Sequence, residues 1–164
     1  MTVEHSAPAP RHFLFVAGPT KGRTAAESLE VQLGHGIWGL RTPLIKENLQ
    51  RYLSKQARGL VYVVKEGLRV EFEITSEVCA FGDLDDLLRD EVRAEAWYGF
   101  VRIRPLRLWD SSPQDSVALL GDVLGVPDRA ELTRRLNLGM HGLTEDQFAG
   151  ILEGAGPGRA IEVS

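Results

Sequence analysis

Basic side chains are concentrated in one stretch of this 164-residue chain. The stretch from position 41 to position 58 holds a single acid, Glu47, and the cations Arg41, Lys46, Arg51, Lys55 and Arg58. Acids gather later, at Asp83, Asp85, Asp86, Asp90 and Glu91. Clustered Lys and Arg neutralise phosphate groups, so the stretch predicts a one-sided surface for a polyanion, although the formal net charge is −4. A solvated helix face is the alternative.

Large aromatic rings supply a second kind of chemistry, the stacking of planar groups. Trp38 stands between two glycines in HGIWGL, a composition that predicts a tight loop presenting the ring. Trp97 and Tyr98 are adjacent, so on a strand they face opposite sides and at most one of them lines a given pocket. Trp109 ends an apolar run and is expected in the core or at a rim. An ordinary core position is the alternative for Trp38 as well.

Metal and nucleotide chemistry find little support in the sequence. His35 and His141 have no second His or Cys at ligand spacing, so we predict neither a metal nor a cofactor. The segment GPTKGRT, residues 18–24, lacks the Gly-Lys-Ser/Thr ending of a phosphate-binding loop. The predicted strands carry no Glu-x-Lys after an upstream Asp, which disfavours a magnesium-dependent nuclease. Cys79 is the one cysteine, and its apolar neighbours predict a buried, structural thiol.

Length and composition predict one globular domain. The chain is 43% hydrophobic and 26% charged, close to globular averages, and no apolar run is long enough to span a membrane. Residues 1–11 read as a disordered arm without a secretion signal, which predicts a cytoplasmic protein. Residues 154–164 have linker composition. The domain is therefore expected over residues 12–153.

The pattern of the first half predicts strands interrupted by short helices. HFLFVAG, residues 12–18, reads as a buried strand, and Thr24 with Glu27 forms a capping box for a helix that stops at Gly34. Thr42-Pro43 is expected to begin another helix. Residues 60–64 and 68–75 are expected to form a hairpin across 65–67. The second strand alternates apolar with polar residues, so it is expected to be half-buried with Arg69, Glu71, Glu73 and Thr75 toward solvent.

The second half adds one long strand and a helical end. Residues 84–92 predict a short helix over the core, with Leu84, Leu87, Leu88 and Val92 inward. Residues 97–109 read as a long strand with a bend, bulge or edge position at Pro105. Three further helix starts follow, at Ser112-Pro113, at Asp128 with Glu131, and at Thr144 with Gln147. The fold class is therefore α+β.

The order of these motifs resembles that of a known family. The Trp38-Gly39 segment, EFEITSEV at 71–78, FVRIRPLRL at 100–108 and GMHGLTEDQFAGIL at 139–152 together resemble EVE domains of the PUA-like superfamily, relatives of YTH and ASCH domains. The resemblance implies a small curved β-barrel flanked by helices. It also implies a non-enzymatic reader of DNA or RNA that holds a flipped, modified base, such as methylated cytosine, in an aromatic pocket.

The resemblance also guides the assignment of site residues. The predicted base-pocket residues are Trp38, Gly39, Asn48, Val63, Val64, Thr75, Ser76, Trp97 and Tyr98, with Val63 and Val64 acting through their main chain. The predicted phosphate contacts are Arg41, Lys46, Arg51, Lys55, Arg102 and Arg104. A nuclease or NTPase partner, in a restriction or defence role, would then supply any chemistry on the nucleic acid.

Two other functions remain open from the sequence. ASCH relatives include small amidohydrolases of modified nucleosides, and here Lys21, Thr24 and either Glu71 or Glu73 could supply comparable groups. The simpler interpretation of Thr24 is a helix cap. An adaptor that docks another protein through the acidic segment 83–91 is the third function.

Overall fold

The sheet contains eight strands in the part of the chain that the structure describes. That structure is a computed structural model and describes residues 11–19, 22–41, 53, 55–92, 97–110, 112–136 and 140–161. The strands are β1 (His12–Ala17), β2 (Ile37–Arg41), β3 (Arg58–Val63), β4 (Gly67–Ile74), β5 (Cys79–Ala80), β6 (Trp97–Leu108), β7 (Met140–Leu143) and β8 (Arg159–Ala160). Their order is β2-β6-β4-β3-β1-β7, with β5 and β8 added on β6. Only the β1–β3 pair is parallel among these described strands.

Five helices accompany the sheet in the described residues. They are α1 (Ala25–His35), α2 (Asp86–Val92), α3 (Pro113–Leu124), α4 (Arg129–Leu136) and α5 (Glu145–Ala155), with a 3-10 turn at Phe81–Asp83. The mixture of strands and helices confirms the predicted α+β class. The helix expected from Thr42 lies outside the described residues.

The two faces of the sheet bury different clusters because successive side chains on a strand point to opposite sides. The inner cluster is rich in aromatic rings and includes Phe13, Phe15, Trp38, Leu53, Phe72 and Val101. The outer cluster joins the sheet to α3, α4 and α5, and includes Leu14, Leu60, Tyr62, Leu120, Leu132 and Phe148. Gly59 leaves room for the inner rings, because a Cβ there would lie 2.4 Å from the Phe72 ring.

Strand β6 curls the sheet because its two halves have different neighbours. Its first half pairs with β2 and β5, and its second half pairs with β4 and β8. A register shift on β4 pairs Glu71 with Arg107 and the next residue, Phe72, with Pro105, which leaves Leu106 as a bulge. The irregularity predicted at Pro105 is thereby confirmed, and the sheet forms a half-barrel.

Most predicted turns and caps of the first half are confirmed. Thr24 caps α1 through a capping box with Glu27, and the hairpin across 65–67 joins β3 to β4. The predicted stop at Gly34 was wrong, because α1 continues to His35 and ends at Gly36, whose φ of 63° suits a glycine. The tight loop predicted for HGIWGL was also wrong, since Trp38 and its neighbours form β2.

The second half shows one confirmed set of caps and two differences. Ser112 caps α3, and Thr144 caps α5 in a capping box with Gln147. The inward position predicted for Leu87 was wrong, since the residue is 84% exposed. The cysteine at position 79 is only partly buried, beside the hydroxyl of Ser76 and against a third cluster formed by Ile37, Leu84 and Phe100.

Residues beyond 153 pack against the domain where composition suggested a linker. Residues 154 and 155 complete α5, and β8 pairs with the end of β6. The Trp109 ring donates a hydrogen bond of 2.9 Å from Nε1 to the carbonyl oxygen of Gly156. Gly158, with a φ of 58°, lies against the same ring. Trp109 belongs to the outer cluster, so of the two positions expected for it, core or rim, the core is confirmed.

Candidate functional site

Several predicted site residues meet where α1 ends and the two halves of β6 join. The Thr75 amide donates to the carbonyl of Arg102 at 2.9 Å, and the Arg102 amide donates to Ser76 Oγ at 2.9 Å. On the other edge of β6, the Ile103 amide donates to the carbonyl of Gly36 at 2.8 Å. We call the segments 36–38, 74–77 and 102–104 the junction. The sequence separation of these segments means that only the register of β6 brings them together.

The cations at the junction have different partners. Arg102 and Arg104 are both exposed and share one face of β6. Arg104 forms an ion pair with Glu73. The Arg102 guanidinium carbon lies 5.7 Å from the centre of the Phe100 ring, and none of the described carboxylates forms an ion pair with it. Arg102 therefore keeps most of its donors for a ligand.

Lys55 belongs to the same surface through its neighbour in the chain. The amide of Gln56 donates to the carbonyl of Ile74 at 2.9 Å, which ties residues 55–56 to the start of segment 74–77. The lysine itself is exposed. A third cation thus lies one residue from the junction.

Trp38 is a packed member of the inner cluster. It is 6% exposed, and its ring centre lies 5.7 Å from that of Phe15 and 6.0 Å from that of Phe72. Its strand is anchored by Gln32 of α1, whose Oε1 accepts a 2.8 Å hydrogen bond from the amide of Gly39. Stacking of a base on Trp38 thus requires that one face of this ring be uncovered on binding.

The main-chain groups of Val63 and Val64 lie at the opposite end of the β3–β4 hairpin from the junction. The Val64 amide donates to the carbonyl of Ala17, and the Val63 carbonyl accepts from the amide of Glu66. Both groups are occupied by the sheet and its turn, so the structure does not bring them to the other predicted pocket residues.

The remaining predicted residues divide into two groups. Asn48, Lys46 and Arg51 lie outside the described residues. The backbones of Trp97 and Tyr98 lie in β6, and Arg41 pairs with Trp97 across the β2–β6 ladder. That ladder continues to Ile37 and Arg102, so this pair belongs to the same two strands as the junction.

The groups proposed for an amidohydrolase have structural partners. The Thr24 hydroxyl accepts a 3.1 Å hydrogen bond from the Glu27 amide as a helix cap. The two strand carboxylates are held by arginines, Glu73 by Arg104 and Glu71 by Arg58 and Arg107. Lys21 lies outside the described residues.

Burial perturbs two histidines on the outer face of the sheet. Desolvation lowers the pKa of His141 against the opposing effect of a hydrogen bond to the main chain of Arg135, and its Nε2 is buried with no hydrogen-bond partner among the described residues. Desolvation also lowers the pKa of His12, whose ring lies 4.3 Å from that of Phe148, against the opposing effect of Glu145. Both rings are therefore favoured as neutral packing groups.

Three groups that organise the sheet were not recognised in the sequence. Glu71 was expected to face solvent on a half-buried strand, and it is 2% exposed between Arg58 and Arg107. Gln32 gave no signal of its role in holding Gly39. The third group is Arg107. The sequence before Trp109 does not reveal which of its arginines faces Glu71, because the bulge at Leu106 decides that pairing.

Two wider features concern ions and membranes. Within the described ranges, no group of three or more His, Cys, Asp or Glu side chains is placed to share a metal ion. The helices described here are also too short or too polar to cross a bilayer.

Comparison with known proteins identifies the fold. No protein-family model and no curated protein matches the sequence. A solved protein from Leishmania major superposes with a TM-score of 0.58 at 17% identity, over 90% of this chain and 96% of that one. The DUF55 domain of human thymocyte nuclear protein 1 superposes with a TM-score of 0.57 at 17% identity, over 87% of this chain and 96% of that one. Human THYN1 in complex with DNA containing 5-methylcytosine superposes with a TM-score of 0.57 at 16% identity, over 87% of this chain and 95% of that one.

These likenesses cover nearly the whole length of each solved chain. At such low identity they establish the fold and nothing finer. The chain therefore shares the α+β half-barrel fold of these structures, which confirms the fold expected from the resemblance stated above.

Proposed function

We propose that this protein is a non-catalytic reader of nucleic acid that recognises a modified base. The observation that carries the proposal is the junction, where the main chain of the exposed Arg102 is hydrogen-bonded to Thr75 and Ser76, next to the strand that bears Trp38. Arginine and small polar side chains are the groups that bind phosphate and sugar. An aromatic ring can stack on an extruded base.

The fold supports the same function. One solved structure with this fold, human THYN1, is a complex with DNA containing 5-methylcytosine. The inner face of the half-barrel is lined by packed aromatic rings, so a base that enters at the junction stacks on Trp38 only when one face of that ring is uncovered, while its phosphates stay outside. We infer that Trp38 offers the stacking surface and that Arg102 and Lys55 contact the flanking phosphates.

The reader role leaves any reaction on the nucleic acid to a separate partner, such as a nuclease or an NTPase. Hydrolysis by this chain is disfavoured because the carboxylates of Glu71 and Glu73 are held by arginines and Thr24 caps a helix. Incubation with free N-acylated nucleosides tests that function directly, and turnover of such a nucleoside would contradict the reader role.

Binding of short labelled oligonucleotides tests the proposal. Probes are single- and double-stranded DNA and RNA, each with cytosine or adenine unmodified, methylated or hydroxymethylated, at two salt concentrations. We expect at least one modified probe to bind more tightly than its unmodified match. Equal binding of every matched pair would contradict base recognition, and absence of binding to all probes would contradict the reader role altogether.

Two variants assign the contacts. Arg102→Gln is expected to weaken the binding of all probes alike. It should also make the negative slope of log K against log salt shallower by about 0.7 to 0.9, the contribution of one phosphate contact. Arg135→Gln, at an exposed position of α4, is the matched control and should leave the slope unchanged. Trp38→Leu keeps an apolar side chain and removes the ring, and because leucine is smaller than tryptophan, thermal unfolding of the variant is measured first to show that the inner cluster still folds. The variant should weaken the modified probe roughly 5- to 150-fold, the stacking contribution of one base.

A further inference from the structure

A carboxylate is buried among arginines on the outer face of the half-barrel, away from the inner cluster. Glu71 is 2% exposed, with Oε2 at 3.2 Å from Arg58 Nη1 and Oε1 at 3.6 Å from Arg107 Nε. Glu73, two residues along β4, forms an ion pair with Arg104. A carboxylate at this depth is costly unless cations neutralise it. The two acids therefore hold three arginines in place.

Strand register sets this arrangement. Arg58 on β3, Glu73 on β4 and Arg104 on β6 lie side by side across three neighbouring strands. Glu71 pairs with Arg107 in the next row, on the far side of the bulge at Leu106. We call Arg58, Arg104 and Arg107 the arginine row. The row continues along the exposed face of β6 from Arg102 at the junction, which precedes Arg104 by about 6.6 Å.

The acids lie beneath the arginines. The side chains of Arg58, Arg104 and Arg107 are 47%, 48% and 34% exposed, whereas Glu71 is at 2%. Each guanidinium has five N–H donors and spends only one or two on its carboxylate. Three guanidinium groups also outnumber two carboxylates, so the cluster keeps one net positive charge. The part of the cluster that faces solvent is thus guanidinium rather than carboxylate, with Arg107 also lying 5.8 Å from the centre of the Trp109 ring.

We propose that the arginine row is a second binding surface for the phosphate backbone, continuing the path of the strand whose base is read at the junction. Arginine held by a carboxylate loses little further freedom when it binds, and its planar donors match phosphate oxygens. Glu71 and Glu73 act as positioning residues. This inference rests on the proposed function, since the nucleic acid bound at the junction is the one that would continue along the arginine row.

Salt dependence of binding tests the row. Removing an arginine from beside Glu71 risks unfolding, so Arg58→Gln is made together with Glu71→Gln, and Arg104→Gln together with Glu73→Gln. Each double variant should make the negative slope of log K against log salt shallower by about 0.7 to 0.9. The preference for modified over unmodified probe should stay unchanged, as should all binding by Arg135→Gln.

Arginine footprinting gives a second readout that needs no variant. The wild-type protein is treated with phenylglyoxal with and without the bound oligonucleotide, and modified arginines are found by mass spectrometry. We expect protection at Arg58, Arg104 and Arg107, and none at Arg134 and Arg135 of α4. Modification-dependent binding with unchanged slopes and no protection would overturn the row and leave the reader role standing. No binding by wild type would overturn both.

Discussion

Replacing Gly59 with alanine should destabilise the inner cluster on which the reader role depends. Gly59 lies in β3, and a Cβ there would stand 2.4 Å from Cε1 of Phe72 and 2.8 Å from Cε2 of Phe15. Both rings are almost fully buried, with their centres 5.5 Å apart, and Trp38 packs against both. Neither ring can move aside into solvent. The added methyl therefore strains the cluster.

The size of the effect follows from overpacking. Extra methyl groups in a filled core cost about 1 to 3 kcal/mol. In a protein of this length each kcal/mol lowers Tm by about 2 to 4 °C, so Gly59→Ala should lose roughly 2 to 12 °C. Thermal unfolding followed by circular dichroism, together with guanidinium titration, measures both quantities.

An opposite change in a neighbouring element serves as the control. Gly34 lies in α1, and apart from its own helix no described atom lies within 4 Å of an added Cβ, so Gly34→Ala should stabilise by about 0.5 to 1 kcal/mol. A Gly59→Ala protein as stable as wild type, measured beside a stabilised Gly34→Ala, would refute the packing described for the inner cluster.

Three further predictions follow from local contacts. Gln32→Ala removes the buried acceptor of the Gly39 amide, so it should cost about 1 to 3 kcal/mol in guanidinium titration and speed hydrogen exchange at Gly39. Gly158→Ala places a Cβ 2.6 Å from the carbonyl oxygen of Leu108 at a φ of 58°, so amide exchange in β8 should quicken while β3 is unaffected. Burial lowers the pKa of His141, so the unfolded chain takes up the proton more readily and wild-type stability should fall as pH drops below about 6.5. His141→Leu should flatten that decline between pH 7.5 and 5.

Each of the three has a result that contradicts it. Unchanged exchange at Gly39 in Gln32→Ala would mean that the side chain is not its acceptor. Normal protection of β8 in Gly158→Ala would contradict its packing. An equal pH dependence of stability in wild type and His141→Leu would show that this ring is not the group that titrates.

Local signals in the sequence predicted much of the fold. The capping boxes at Thr24 and Thr144 each depend on residues three positions apart, so a short window contains the whole interaction. The hairpin across 65–67 is equally local. Helix ends were harder, since Gly34 and Gly36 are both glycines and only the backbone conformation at Gly36 ends α1.

The site was less predictable because it depends on register between distant segments. Arg102 and Ser76 were both predicted, yet their hydrogen bond follows from how β6 passes the end of β4. The alternation around Glu71 suggested a solvent-facing acid. Its burial arises only because Arg58 arrives from β3 and the bulge at Leu106 turns Arg107 toward it.

The most direct test of the reader role is one binding measurement on the wild-type protein. A duplex with a single 5-methylcytosine and its unmodified match are titrated side by side at low salt, with a second pair carrying methyladenine and the corresponding RNA pairs. The account predicts that one modified probe binds more tightly than its match and that Trp38→Leu removes the difference. Equal affinities within every pair would contradict it.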